Sequence, residues 1–383
     1  MVQRLFALTA LLALSCCYTG PGSRYGHQGQ AAGPEPVVRV RLVAFTESAE
    51  LSCAGRAKLS VGQKSRDLAP GQRVSVGPEG VLVDGTKWTG FSDTLRLEPD
   101  GADLVKAGER TYRGSLMAFT DASGKLAVVN VLGLEDYLQG VVPCEIGPTK
   151  PETYAALAAQ AVCARSFTLT RLDKRPGLGH QLFDTYARDQ EYRGVGSELE
   201  LTNKAVAETR GEVLLYQGRP AEALYHGNCG GITGQGSQPY LVPVRDGRGT
   251  PFCAHGKYHK WQAEFSPAQY ETTLARLAGM KGRLVGASLE KEPVSGRVKK
   301  LRLVTDSGTF PVNGSDFRMA LGLRSTMFEL AVGRDGHLKF SGKGWGHGSG
   351  LCQDGAIGMA RQRYDYRRIL GHYYPRLKLG RWY

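Results

Sequence analysis

The 383-residue sequence lacks an apolar run long enough to cross a bilayer: the stretch from Leu5 to Leu14 falls far short of the roughly 20 residues a spanning helix needs. It also lacks a dense block of Lys and Arg, and no nucleic-acid-binding module is legible in it. The basic excess, 49 Lys plus Arg against 36 Asp plus Glu for a formal net charge of +13, is scattered along the chain. It reads as attraction to an acidic surface such as a cell-wall polymer, or equally as an ordinary solvated surface. Internal repeats are absent, which excludes a repeat architecture. The glycine-rich segment KGWGHGSGLCQDGA, Lys343 to Ala356, does not end in Gly-Lys-Ser/Thr and does not carry G-x-G-x-x-G spacing with a following acid. It has His347 where a serine nucleophile elbow requires glycine two places before Ser349. Phosphate-loop, dinucleotide and serine-hydrolase readings of that segment therefore fall away.

What is present begins with an export signal. One basic residue, Arg4, precedes the short apolar run, so residues 1–16 read as a signal peptide. The run ends Leu12-Ala13-Leu14-Ser15-Cys16, which is similar to a bacterial lipobox and makes Cys16 the lipidation candidate, with simple secretion as the alternative. Residues 17–36, rich in Gly, Pro, Gln and Ser, read as a flexible tether. The expected location is thus the cell envelope, with membrane contact only through a lipid anchor and no nucleic-acid partner. Six further cysteines, Cys53, Cys144, Cys163, Cys229, Cys253 and Cys352, make disulfides the default expectation in an exported chain.

With 41% hydrophobic residues and 51 glycines, the chain reads as globular and rich in turns. From Val37 to about Val131, short alternating runs such as VRVRLVAF and TLRL predict half-buried strands, with no catalytic-looking cluster among them. PTKPETYAALAAQAVCARSFTLTRL predicts the main helix, with Pro151 at its first position and a buried stripe of Tyr154, Leu157, Ala158, Ala161 and Val162. Arg165 continues that stripe, and a guanidinium on a buried face needs an acidic or carbonyl partner, unless it snorkels at the face's edge. Further helices are expected at Leu199 to Thr209, Pro267 to Leu277, Asp354 to Arg363 and Tyr366 to Tyr373. The fold class is α+β: a β-rich region at 37–94, then a mixed region at 95–383 with one long helix beside the active loop.

Two local features carry chemistry. In VVPCEIGPTKP, Glu145 sits between Pro143 and Pro148, in a rigid loop after an apolar strand, where partial burial would raise its pKa as a general acid requires; a solvent-facing helix-entry carboxylate is the plainer reading. In the glycine segment, alternating glycines let the backbone turn sharply and present Trp345, His347, Ser349 and Gln353 to a ligand, a surface suited to a sugar ring, or else form a merely structural hairpin. Cys229, Cys253, His255 and His259 are spaced as a zinc set, but a Cys229–Cys253 disulfide is the favoured fate outside the cell, and neither metal nor cofactor is expected.

Taken in order, LEDYLQGVVPCEI, YAALAAQAVCARSF, EYRG with AVAETRGEVLLYQG, LYHGNCGGITG and GWGHGSGLCQDGAIGMA resemble the hallmark segments of the SpoIID/LytB family of bacterial cell-wall proteins, over roughly Leu95 to Leu379. The resemblance implies a peptidoglycan lytic transglycosylase acting on peptide-free glycan strands, or a non-catalytic regulator that enhances an N-acetylmuramoyl-L-alanine amidase. It implies Glu145 as the catalytic acid and base, and Arg165, His226, Gly230, Gly231, Trp345, Gly346, His347, Gly348 and Gln353 as substrate-binding residues. It implies no second catalytic carboxylate, because the glycan's own 6-hydroxyl closes the ring. The partners implied are peptidoglycan glycan strands and an amidase or other wall protein. Cys144 and Cys352 replace serines common in the family, which raises a disulfide between them, or of one with Cys163. The His/Cys zinc cluster of sporulation-type members is missing from GHQLFDTYARDQEYRG, which keeps only His180 and Gln190.

Overall fold

A computed structural model describes residues 33–383; the signal peptide, Cys16 and most of the tether lie outside the described residues. Among the described residues no helix is long and apolar enough to cross a membrane. The fold is α+β, as the sequence implies.

Residues 37–133 build two sheets. A seven-stranded sheet runs in the order 182–183, 37–42, 126–133, 115–120, 95–99, 57–61, 64–68, and a six-stranded one in the order 110–112, 105–107, 49–53, 73–77, 80–83, 86–89. Alternation places Val38, Val40 and Leu42 inside while Val37 and Arg39 face out, because successive side chains in a strand point to opposite faces. The inward residues of both sheets merge into one buried cluster with the helices. The boundary expected at 94/95 does not divide this unit, since strand 57–61 pairs with strand 95–99 from Ala57↔Pro99 to Val61↔Leu95.

Seven helices follow: α1 (Leu134–Glu145), α2 (Tyr154–Leu169), α3 (Glu200–Glu208), α4 (Pro267–Ala278), α5 (Gly314–Ala320), α6 (Gln353–Arg361) and α7 (Tyr366–Tyr373). Pro151 begins a 3₁₀ turn that leads directly into α2, whose residues 156–168 are buried on all sides, not on one stripe. Packed on it are α1, α3, α6, α7 and the strand Glu212–Tyr216. The segment expected as an apolar strand before Glu145 is instead α1, so Glu145 ends a helix and does not sit in a loop.

A second, separate core contains Trp261, Tyr270, Leu274, Leu301, Leu303, Phe317, Phe328 and Phe340. It belongs to an inserted unit of two three-stranded sheets with α4 and α5, spanning roughly 260–343. Its N-terminal helix starts with a capping box, Ser266 with Gln269, and ends at Gly279 in the left-handed region.

Arg165 is fully buried and forms a bidentate pair with Glu135: Nε to Oε1 at 2.9 Å and Nη2 to Oε2 at 2.7 Å. Its remaining donors reach the carbonyls of Glu212 at 3.1 Å and Val206 at 3.2 Å. Every one of these contacts lies in the interior, so Arg165 faces the core and not a ligand. Removing one partner of a buried ion pair strands the other charge. Glu135→Gln is expected to lower the unfolding free energy by about 3 to 5 kcal/mol; urea denaturation at pH 7 measures this, and a loss below about 1 kcal/mol would mean the pair is not what holds these elements.

Candidate functional site

A cleft of about 640 Å³ lies where α1, α2, the loop 186–193, the segment 224–227, the glycine-rich strand and the inserted unit meet. Of the residues singled out in the sequence, Glu145, His226, Trp345, Gly346, His347 and Gln353 line it. Gly230, Gly231, Gly348 and Arg165 do not. Gly230 and Gly231 form the turn that backs the wall, both at positive φ, and Gly230 donates to the Asn228 side chain at 2.8 Å.

Glu145 is held at the C-terminal end of α1, where no basic residue sits in the last turn. Its Oε1 accepts the backbone N–H of Glu191 at 2.9 Å. Burial pushes its carboxyl up to about 7; the neighbouring Glu191 charge adds to that, while the Glu191 amide and the Tyr225 hydroxyl oppose it. The negative end of the helix dipole works in the same direction as burial. A carboxyl in that range exchanges its proton near neutral pH, the property required of a group that both donates and accepts.

The facing wall is built by glycine. Gly344, Gly346, Gly348 and Gly350 all have positive φ, and between them Trp345, His347 and Ser349 project alternately. At Gly350 (φ 75°) a Cβ would stand 1.9 Å from the Leu224 carbonyl oxygen, and at Gly348 (φ 87°) 2.1 Å from Cζ of Arg297. No other residue fits either place. The strand so bent pairs in parallel with Tyr225 and His226 through Leu351 and Cys352.

Both histidines are fixed as neutral rings. His347 donates from Nε2 to the Tyr225 carbonyl at 2.8 Å and accepts the Ser349 N–H at Nδ1, 3.1 Å away, which only an unprotonated Nδ1 can do. His226 donates from Nδ1 to the Ser349 carbonyl at 3.1 Å, leaving Nε2 without a partner within the protein. Burial lowers the pKa of His226 to about 3, and the Arg297 charge adds to the shift. The rings lie 5.4 Å apart. Trp345, 46% exposed, packs edge-on against Tyr258 at 4.9 Å, and Arg324 covers the other ring at 4.4 Å, so the indole is a braced, open apolar platform at the cleft rim.

The structure adds residues the sequence reading did not assign to the site: Phe167, Tyr186, Asp189, Glu191, Arg193, Tyr225 and Arg318. Glu191 and Asp189 place two further carboxylates in the cleft beside Glu145. Neither is free for proton transfer, since Glu191 pairs with Arg193 at 3.0 Å, and Asp189 is buried against Arg175 at 3.1 Å. Gln190, between them, accepts from the Thr168 hydroxyl and donates to the Tyr225 hydroxyl at 2.9 Å, which orients that tyrosine over the cleft. His180, itself buried, hydrogen-bonds the Leu178 carbonyl and does not line the cleft. The disulfide raised between Cys144 and Cys352 is not formed: Cys144 donates to the Gly140 carbonyl at 3.3 Å on one wall, while Cys352 is buried behind the other, its sulfur accepting the Cys229 N–H at 3.1 Å. Cys163 lies against the Tyr374 hydroxyl at 3.6 Å.

Residues 122–216, which carry Glu145, Arg165 and Glu191, match the family model described as stage II sporulation protein, SpoIID. Residues 252–350, which contain the inserted unit, match a second model described as a domain of unknown function. The chain is 31% identical over 268 residues to an uncharacterized protein of Brachyspira hyodysenteriae, covering 69% of this chain and 70% of the relative. It is 31% identical over 274 residues to stage II sporulation protein D of Bacillus amyloliquefaciens, covering 64% of this chain and 74% of that protein. Against the amidase enhancer of Bacillus subtilis it is 29% identical over 291 residues, covering 62% of this chain and 39% of the relative.

The elevated pKa of Glu145 has a stability signature. The folded protein holds that proton more tightly than the unfolded chain, so the group weakens folding fully above pH about 7 and not at all below about 4.5. Glu145→Gln is expected to be more stable than the parent by about 1 to 3 kcal/mol at pH 8, with the difference closing by pH 4.5. Denaturant unfolding of both proteins at the two pH values checks this; a difference that does not change with pH would contradict a buried, titrating Glu145.

Proposed function

Because the chain belongs to the SpoIID family, we propose that it is a peptidoglycan lytic transglycosylase that cleaves peptide-free glycan strands to 1,6-anhydromuramyl ends. The observation that carries the reading is a single carboxyl, Glu145, pushed up to about 7 by burial in a cleft whose other wall is a braced tryptophan between glycines. Glu145, protonated, gives its proton to the glycosidic oxygen as the bond to muramic acid C1 breaks and an oxocarbenium-like state develops. As carboxylate it then takes the proton of that sugar's 6-hydroxyl, whose oxygen closes on C1. Atoms balance without water, so no second carboxylate is needed to activate one. Glu191, paired with Arg193 at 3.0 Å, stands beside Glu145 and helps to raise its carboxyl, which favours the protonated acid. Trp345 offers its face to a pyranose ring.

A second reading rests on a specific finding, the similarity to a protein named an amidase enhancer. On that reading the same cleft holds glycan without cutting it. Mass spectrometry of products from purified, peptide-free strands separates the two: the enzyme yields anhydromuramyl ends, and Glu145→Gln abolishes them while still binding strands. Wild-type protein that binds but yields no such ends supports the enhancer. For the enzyme, kcat/KM is expected to fall tenfold per pH unit well above about 7, as the acid is lost, and Trp345→Ala to raise KM by about tenfold with kcat little changed. A pH profile flat from 5 to 9 would remove Glu145 as the acid.

A further inference from the structure

Behind the glycine-rich wall, the Sγ atoms of Cys229, Cys253 and Cys352 and a carboxylate oxygen of Asp246 all lie within 4.8 Å of one another, and all four residues are buried. The Cys229 and Cys253 sulfurs are 3.5 Å apart. Three sulfurs at zinc's bond length of about 2.3 Å in a tetrahedron sit about 3.8 Å from each other, so the thiols stand nearly where a metal would hold them. A disulfide consumes two thiols and leaves the third, with the carboxylate, unexplained in the same pocket.

Backbone donors and a buried cation stand around the cluster. Cys352 Sγ accepts two backbone N–H groups, those of Cys229 at 3.1 Å and Gly355 at 3.3 Å, the second at the N-terminus of α6. Asp246 is oriented by the Cys253 N–H at 2.7 Å and by the Tyr373 hydroxyl, contacts that aim a ligating carboxylate from a second layer. Arg297, buried, donates from Nη2 to the Cys229 carbonyl at 2.8 Å, while its Nε and Nη1 have no partner. An unpaired buried guanidinium is costly unless negative charge stands near it.

We propose that Cys229, Cys253, Cys352 and Asp246 bind one structural Zn²⁺ at the neck from which the inserted unit leaves the main body. The ligand set differs from the one weighed on spacing alone: His255 turns to the Phe252 carbonyl, and His259 reaches only Cys253 Sγ, at 3.4 Å. Binding is proton exchange without redox change: the three thiols lose their protons to solvent, three thiolates and one carboxylate surround the ion, and the anionic centre is offset in part by Arg297. The placement gives the metal its purpose. Cys253 precedes the inserted unit and Cys352 follows it, both in the main core with Cys229, so one ion closes the neck through which the chain leaves and returns. Thiolates with one carboxylate favour zinc over calcium or magnesium.

The test is elemental analysis of the purified protein, produced in zinc-supplemented medium, with non-reducing peptide mapping alongside. About one zinc per chain is expected, falling more than about tenfold in Cys229→Ser, Cys352→Ser and Asp246→Ala and unchanged in Cys144→Ser, whose thiol is outside the cluster. Should the variants fail to fold, the intact protein stripped of metal and titrated with Co²⁺ reports the same site, by intense sulfur-to-cobalt charge-transfer absorption saturating at one equivalent. Zinc below about a tenth of an equivalent, a mapped Cys229–Cys253 disulfide, iron in place of zinc, or cobalt spectra without thiolate bands would each overturn the proposal.

Discussion

The buried pair between Arg165 and Glu135 is the interaction on which the arrangement of the site depends. Glu135 Oε1 receives not only Arg165 but the Gly211 N–H at 3.2 Å and the hydroxyl of Tyr383, while Arg165 donates on to the carbonyls of Val206 and Glu212, so five pieces of the chain converge on the pair: α1, α2, the end of α3, the strand after it and the last residue. Glu135 opens α1 and Glu145 closes it. A helix of that length is a rod of about 15 Å between the two, anchored at one end and carrying the acid at the other. The same rod sets the two glutamates apart chemically. Burial works to raise Glu135, but Arg165, Tyr383 and the Gly211 amide overcome it and hold the carboxyl below its usual range. At the other end burial meets no cation, and the helix dipole reinforces it. Fold and reactivity are here one feature, a helix with a compensated charge at its start and an uncompensated one at its end.

The opposite wall solves a different problem, that of bringing a backbone against another backbone. Positive φ at every second residue from Gly344 to Gly350 bends the chain so that Leu224 and Arg297 can approach without Cβ atoms intervening. The side chains between the glycines are then held by main-chain partners, as both histidines are, and need no second layer of side chains. Because Ser349 supplies its N–H to His347 and its carbonyl to His226, one residue sets the tautomers of both rings. Neutral, oriented imidazoles suit binding of hydroxyls and amides better than proton transfer at neutral pH.

Much of this was legible in the sequence, and the failures have physical causes. Alternation gave the strands of 37–133, and proline and glycine positions gave α3, α4, α6 and α7 to within one or two residues. Arg165 was legible as a residue needing a partner, because its place on the stripe was wrong for a charge. Helix α1 was not, because Gly140 and Pro143 both argue against a helix. The structure explains each: a Cβ at residue 140 would stand 2.6 Å from the Tyr192 ring, and Pro143 lies in the last turn, where few hydrogen bonds are lost. Glu191, Tyr225 and Arg318 reach the cleft from three distant segments, and no local pattern marks such a meeting. Glu191 and Tyr225 do lie inside EYRG and LYHGNCGGITG, segments singled out by resemblance before their roles were visible. Cys352 was marked as unusual, but its neighbours, Cys229 at 3.1 Å through its backbone and Asp246 across the pocket, are fixed only by tertiary packing.

The inserted unit has its own core, so its position against the rest of the fold rests on what crosses between them. That position matters, because Arg318 of α5 lines the cleft opposite Glu145. The Arg318 Nε is spent on the Leu323 carbonyl at 3.2 Å, and burial alone lowers its pKa, so its charge faces the cleft with little else to answer it. A cation there would draw an anionic strand toward the acid from the far side, and a shift of about 1 Å in the unit would misplace it, which is enough to disturb a catalytic geometry. Contacts that cross include Nη2 of Arg297, which donates to the Cys229 carbonyl at 2.8 Å and the Ile232 carbonyl at 3.4 Å, and the Gly346 N–H, which donates to the Arg324 carbonyl at 2.9 Å. Trp345 and His347 sit on that same connection, between the inserted unit and Cys352. Arg297 carries the inserted unit onto Cys229 beside the buried thiols, so the order of the neck bears on the placement of Trp345 and of Arg318 together.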